Sequence, residues 1–423
     1  MKIKAGYTAF ENEPLKTAFG FKGNALTYLT QSVVYIGDGE RFGVGVGVQS
    51  VLWSDAVVFS TFGEDRGNEF MYSVTKHAVE LLTGREFDAP IDAILAIIPD
   101  CIKYARTITG VDVKQTFVLN SLVPVDMALW TLYAKINNLE CFDDIYKGRV
   151  RNKRLANIPL ITYNTDIADV VKMAENGTCI FKIKIGSDPD RDGDRDKMLA
   201  WDKARAKAIH DALSRVSTPY TESGRPVYYF DANGRYDTKE RLLELIGFFR
   251  EEHILENTVL FEEPFAEENK IFVGDIDCVF AADESAHSID DVKERIELGY
   301  KAITLKPIAK TLSVTMKMAE YAKKMGVQCF CADLTVNPLM LEWNKNVAAR
   351  LSPLGGMKIG VVESNGAQNY VNWAEMCRYA DKCDNAGSFY ELSDDFYSSA
   401  DLFEVKEHYL KLIKQKNGLV EEL

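Results

Sequence analysis

Short apolar runs, each closed by a polar or charged residue, recur through the middle of this chain. Val227-Tyr228-Tyr229-Phe230 leads into Asp231-Ala232-Asn233-Gly234, and Thr258-Val259-Leu260-Phe261 leads into Glu262-Glu263-Pro264. Cys278-Val279-Phe280-Ala281-Ala282 leads into Asp283-Glu284-Ser285, and Ala302-Ile303-Thr304-Leu305 into Lys306-Pro307. Two later runs, 327–332 and 357–362, end at Asp333 and Glu363. Helical spacing fills the gaps at 238–250, 288–298 and 312–325. Strand then helix, repeated, with a polar residue at each strand's carboxyl end, is the pattern of a parallel βα barrel. The expected class is therefore α/β, a TIM-like barrel of parallel βα units. In a barrel the carboxyl ends of all strands meet on one face, so Lys184, Asp231, Glu262, Asp283 and Lys306 should converge.

The first stretch is patterned differently. Residues 26–36 and 41–51 alternate as two strands joined at Gly37-Asp38-Gly39, a hairpin signal. The run Gly43-Val44-Gly45-Val46-Gly47-Val48 resembles a phosphate loop only superficially, because it lies inside a strand and opens no helix. Helical patterns follow at 72–82, 90–105 and 123–137. This predicts an α+β domain over 1–123, a barrel over 124–365 and a tail over 366–423, with tail helices at 370–380 and 405–415.

The chemistry begins with Phe181-Lys182-Ile183-Lys184-Ile185-Gly186. Side chains two apart on a strand share a face. Paired ammonium groups disfavour each other's charge, so at least one lysine pKa should fall, and a neutral lysine can take a proton from carbon. The alternative is an edge strand with two solvated lysines. Three strand-end carboxylates without histidine or cysteine are hard oxygen ligands, suited to Mg²⁺ or Mn²⁺ rather than Zn²⁺. Such an ion could bind a substrate carboxylate and stabilise the enolate left when the α-proton departs.

Composition bounds the rest. The 423 residues exceed one ordinary domain, and 47% hydrophobic content allows a large core. A net charge of −13 argues against nucleic-acid and anionic-membrane partners. The eight cysteines form no C-x-x-C pair, and Cys329 and Cys331 read as reduced core residues. The start, Met1-Lys2-Ile3-Lys4, lacks the apolar region of a signal peptide, and no run reads as a membrane span. The expected setting is cytoplasmic.

The ordered set K-x-K, D-x-N, E-E-P, D-E-S and a later lysine resembles the enolase superfamily, in particular its muconate lactonizing enzyme subgroup. Val125-Asp126-Met127-Ala128-Leu129-Trp130 resembles the family's stretch entering the barrel, and Asp188-Pro189-Asp190 with Asp192 and Asp196 resembles its segment after the K-x-K strand. The likeness runs from about position 124 to 363 and is slight in the tail. It implies Asp231, Glu262 and Asp283 as metal ligands, Lys184 and Lys306 as the acid/base pair on opposite faces, and Lys182 as a tuning residue. Asn233 falls beside the first ligand, and Glu263 reads as a solvated or structural acid. Glu363 falls where cycloisomerases of the subgroup carry a glutamate. Dipeptide epimerases carry D-x-D there, whereas this chain has Glu363-Ser364-Asn365. Asp333 falls where mandelate-racemase relatives place a histidine, and it is expected to hydrogen-bond near the substrate. All five histidines lie outside the strand ends, with His287 nearest, which disfavours histidine-dependent dehydration. The resemblance also implies a modified TIM barrel of (β/α)7β type whose mouth is capped by the first domain with help from the tail. Specificity would then come from loops near 16–22, with Phe19 and Phe21, and 49–55, with Trp53. The implied activity is Mg²⁺-dependent racemisation or epimerisation of a small carboxylate. A cycloisomerase or an o-succinylbenzoate synthase-type dehydratase is the alternative, and a non-catalytic carboxylate-binding barrel is the second. Relatives are commonly homo-oligomers.

Overall fold

Each barrel strand is short and largely buried, as parallel strands covered by helices must be. A computed structural model of the protein describes residues 1–21, 24–148, 150–380 and 387–419. Three antiparallel strands open the chain: β1 (Ala5–Phe21), β2 (Asn24–Gly37) and β3 (Phe42–Gln49). Helices α1 (Val51–Ser54), α2 (Ala56–Leu82), α3 (Pro90–Thr109) and α4 (Gln115–Asn137) follow. The barrel begins with β4 (Arg154–Ile158), β5 (Leu160–Ile161), α5 (Ile167–Glu175), β6 (Ile180–Lys184), α6 (Arg195–Leu213), β7 (Val227–Asp231), α7 (Lys239–Glu251) and β8 (Thr258–Glu262). It continues through β9 (Phe280–Ala282), α8 (Ile289–Glu297), β10 (Ala302–Leu305), α9 (Leu312–Met325), β11 (Gln328–Cys331), α10 (Pro338–Ala348) and β12 (Gly360–Glu363). The tail holds α11 (Gly366–Asn369), α12 (Trp373–Ala380), β13 (Phe389–Glu391), α13 (Asp394–Ser398) and α14 (Glu407–Asn417).

One stretch of chain closes the barrel. β4 pairs in parallel with β12, and β5, just past Pro159, pairs with β6. The Pro159 carbonyl takes the Lys182 N–H at 3.1 Å, so the ladder continues across the proline. β4 and β5 thus act as one strand of eight, and β13 lies antiparallel on β4. Among the described residues no helix separates β8 from β9.

The expected barrel strands and helices are present, with ends shifted by a few residues. Departures from expectation gather at the amino end, where α2 begins at Ala56 instead of 72 and α4 at Gln115 instead of 123. Residues 16–21, expected as loop, continue β1. Pro14 and a register break between Pro14 and Phe19 blur its alternation, and an edge strand tolerates both. The expected border at 123/124 falls inside α4, which carries Pro124 in its interior. That helix is also long and apolar enough to cross a membrane, contrary to the sequence reading. Of its most apolar 18-residue window 94% is buried inside the fold, so its apolarity belongs to a core helix. Cys329 and Cys331 are free thiols on β11, as expected, whereas Cys377 of α12 is disulfide-bonded, which departs from an all-reduced reading.

The Gly-Val alternation serves packing. Val44, Val46 and Val48 are buried, and the glycines between them lie against α4. A Cβ at Gly45 would stand 2.1 Å from the Pro124 carbonyl oxygen and 2.2 Å from the Ala128 nitrogen. Asp126 of α4 ties this layer to the barrel, accepting from the Ser313 N–H at 2.9 Å and from the Ser313 hydroxyl. Tail residues reach the cap too, with the Val371 N–H on the Pro14 carbonyl and His408 on Glu11.

Gly45→Ala should lower the unfolding free energy by about 2 kcal/mol through overpacking. Strand propensity alone predicts a small gain, so the sign in chemical denaturation is diagnostic. An unchanged midpoint would show that strand and helix have room for a side chain.

Candidate active site

The barrel places acids and lysines around one mouth. Lys184 ends β6, Asp231 ends β7 and Glu262 ends β8, and the register pairs Lys184 with Asp231 and Asp231 with Glu262. Asp283 follows β9, Lys306 follows β10, Asp333 lies just beyond β11, and Glu363 ends β12. Asp231 and Glu262 are 0% exposed and Asp283 1%, so these acids are not solvated loop residues. Nearly all the predicted side chains line one cavity; Glu262 adjoins it through Lys182.

Pairing holds these charges. Lys182 Nζ stands 3.0 Å from Asp231 Oδ2, 3.1 Å from Glu262 Oε2 and 3.3 Å from Glu363 Oε2. Lys184 Nζ donates to Asp231 Oδ2 at 2.6 Å and to Asn233 Oδ1. Asn233 in turn donates from Nδ2 to Glu284 Oε1 at 3.0 Å. Lys306 Nζ donates to Asp283 Oδ2 and lies 4.7 Å from the centre of the Trp53 ring. Glu363 Oε2 also accepts from the Asp333 N–H at 3.2 Å and from the Tyr229 hydroxyl at 3.4 Å. The Asp333 carboxylate takes the backbone N–H groups of Asn365 (2.8 Å) and Val336 (3.3 Å).

Lys182 moves opposite to the expected lowering of a lysine pKa. Burial alone would lower Lys182, but Asp231, Glu262 and Glu363 outweigh it and hold the ammonium well above its ordinary value. Lys306 is raised in the same way, with Asp283 the main partner. Burial would raise Asp231, yet Lys182 and Lys184 bring it down to about 2. Asp283 is held still lower by Lys306 and Lys310. Glu262 goes the other way, pushed well up by burial and by Asp231. Burial and Glu363 push Asp333 up to about 7.

Asp231, Glu262 and Asp283 form an all-oxygen set on three adjacent strands, the donor chemistry of Mg²⁺. Glu262 Oε2 is buried and accepts no hydrogen bond, its near partner being the Lys182 ammonium at 3.1 Å, a charge that a cation could replace. Lysine nitrogens hold most of the remaining oxygens. As they stand, no three acid, imidazole or thiol side chains among the described residues close on one metal position.

Several positions differ from expectation or escaped it. Glu263 is buried, not solvated: its Oε2 accepts from the Asp283 N–H (2.7 Å) and from the Ser285 N–H and hydroxyl. His287 faces Glu267 and Asp291, away from the cavity lining. Trp53 does reach the cavity, on a short helix rather than a loop, while Lys22 and the side chains of Phe19 and Phe21 lie outside the described residues. Lys310 was missed: fully buried, it donates to the Asp283 carbonyl at 2.6 Å and to Asp283 Oδ1 at 3.1 Å. A second lysine four positions after Lys306 was the available signal. Leu15, Leu26 and Leu29 of the cap also line the cavity and carried no sequence signal beyond apolarity.

No protein-family model matches the chain, and no curated protein matches it. Solved structures do. N-succinyl Arg/Lys racemase from Bacillus cereus ATCC 14579 superposes with a TM-score of 0.68 at 16% identity, covering 98% of each chain. A dipeptide epimerase from Enterococcus faecalis V583, complexed with Mg and L-Leu-L-Tyr, gives 0.66 at 16% identity, over 95% of this chain and 99% of the other. A member of the enolase superfamily from Listeria innocua Clip11262 gives 0.64 at 15%, over 98% and 97%. At these identities the likeness establishes architecture: the chain has the fold of enolase-superfamily racemases and epimerases, end to end.

Glu263→Leu should cost about 2–4 kcal/mol of stability, because it strands the buried donors of Asp283 and Ser285. Glu263→Gln keeps an acceptor, and it suits a site where burial and Glu284 already push the carboxyl up to about 8. It should stay within about 1 kcal/mol of the native protein in urea unfolding. Equal losses in the two variants would remove the structural role.

Proposed function

We propose that this protein is a Mg²⁺-dependent racemase or epimerase that moves the proton α to a carboxylate. One observation carries the reading. In the sheet order β10-β9-β8-β7-β6, the two outer strands bring Lys306 and Lys184, and the three strands between bring Asp283, Glu262 and Asp231. Two amines thus stand on opposite sides of a row of buried acids, and both line the same cavity.

The acids would hold the ion with their oxygens. Bound there, Mg²⁺ would compensate the carboxylates, favour the neutral form of nearby lysines and stabilise charge on the substrate carboxylate as the α-proton leaves. Lys184, oriented by Asn233, takes or returns that proton on one face. Lys306, under the Trp53 ring, does so on the other. The two exchange roles between the two stereoisomers. Lys182 stays between Asp231, Glu262 and Glu363, where it fixes the acids and offsets their charge. The structural neighbours named as racemases and epimerases support this outcome over cycloisomerisation or dehydration, which would draw on the same lysines. A small-molecule carboxylate is the substrate class this reading implies.

Incubation in D₂O with Mg²⁺ and pools of amino-acid derivatives, dipeptides and hydroxy acids, read by mass spectrometry, tests this. The expected result is a one-deuterium gain at the α-carbon, reduced at least about 100-fold in Lys184→Ala and lost on chelation. Full exchange in both Lys184→Ala and Lys306→Ala would overturn the assignment. Asp231→Asn should weaken Mg²⁺ binding in calorimetry, and unchanged binding would remove Asp231 from the ligand set.

A further inference from the structure

We infer that the substrate carries an uncharged, apolar side chain next to its carboxylate. This rests on the proton-transfer reading of the same cavity and names what that cavity selects. Its outer wall is Leu15, Leu26, Leu29 and Trp53 from the cap, with Leu160 and Leu334 from the barrel. Leucines from two parts of the chain therefore enclose the space beside the lysines.

The charged side chains of the lining are committed to one another. Lys182 and Lys184 share Asp231, Lys306 holds Asp283, and Glu363 takes Lys182. Asp333 is bound by two backbone N–H groups, and the Thr335 hydroxyl donates to Asn365 Oδ1 at 2.6 Å. Among the described lining residues, no guanidinium and no ammonium outside the reacting pair and Lys182 is available for a distal carboxylate. A distal ammonium or carboxylate placed against the leucines would lose its water and gain no partner, which is costly. An isobutyl or benzyl group there would be removed from water against apolar surface, which is favourable. Burial of the leucines supports a preformed wall: Leu26 is 3% exposed and Leu29 2%.

Binding tests this without requiring turnover. The full-length protein with Mg²⁺ is titrated calorimetrically with three carboxylates of similar length: 4-methylpentanoate, glutarate and 5-aminopentanoate. The expected result is at least about tenfold tighter binding of 4-methylpentanoate than of either charged analogue, the scale set by one or two buried methylenes against an unpaired charge. Glutarate or 5-aminopentanoate binding as tightly or more tightly, or no preference among the three, overturns the inference. Leu334→Lys, in the cavity lining, should shift the preference toward glutarate at least about tenfold. A folded Leu334→Lys protein with the native preference would also overturn it. The proton-transfer reading stands or falls separately on deuterium exchange, so the two failures are distinguishable.

Discussion

The structure depends on one constraint: charges taken out of water must find opposite charges. At this barrel mouth Asp231, Glu262, Asp283, Glu363, Lys182, Lys306 and Lys310 are all buried. Each carboxylate lies beside at least one ammonium, and Lys182 touches three acids. No single element could build this. It needs adjacent parallel strands that end at the same level, because only then do residues far apart in sequence fall within ion-pair distance. The β6–β7 and β7–β8 registers supply that level directly, by pairing Lys184 with Asp231 and Asp231 with Glu262.

The cap matters because it keeps water from this lattice. Coulomb attraction between partners weakens steeply with local polarity, so the leucines of β1 and β2 and the indole of Trp53 are part of the electrostatics. The cap is held down by packing that leaves little slack. β3 meets α4 so closely that glycine is required on the contact face. α4 is then fixed to the start of α9 through Asp126, Trp130 and Ser313. The residue before α9's amino-terminal turn, Lys310, holds Asp283. Cap position and ligand position are thereby linked through one short segment.

Much of the barrel was legible because a buried parallel strand leaves a local mark, an apolar run closed by a polar residue. Asp231, Glu262, Asp283, Lys306 and Glu363 were found in this way, and the structure brings them together. What was not legible lacked a local mark. β5 is two residues long and is defined by its partner. β1 contains Pro14 and several charged residues, and it is a strand because β2 lies beside it. Lys310 resembles any loop lysine until its contact with Asp283 is seen. The cavity's leucines resemble core leucines, since being apolar does not say which void a side chain borders. The rise of the Lys182 pKa was not legible for a related reason: spacing on one strand reveals the neighbouring lysine but not the acids across the barrel.

Backbone strain gathers at the same mouth, and it explains how loop residues are held as firmly as strand residues. Asn233 (φ 44), Glu263 (φ 40), Thr311 (φ 67) and Thr335 (φ 55) all adopt the left-handed region just beyond barrel strands. Such conformations cost on the order of 1 kcal/mol or more each and persist where surrounding bonds over-determine them. Those bonds are present. Glu263 accepts from three donors, Asn233 links Lys184 to Glu284, and the Thr335 carbonyl accepts from the Tyr370 hydroxyl at 2.6 Å. Thr311 caps α9 through the Val314 N–H. The turned backbone at Glu263 also lets neighbouring acids take opposite tasks. Glu262 points into the ring of charges, while Glu263 passes beneath the next turn and fixes the backbone that carries Asp283. Placement of the third acid therefore depends on a residue that never needs to meet a ligand itself.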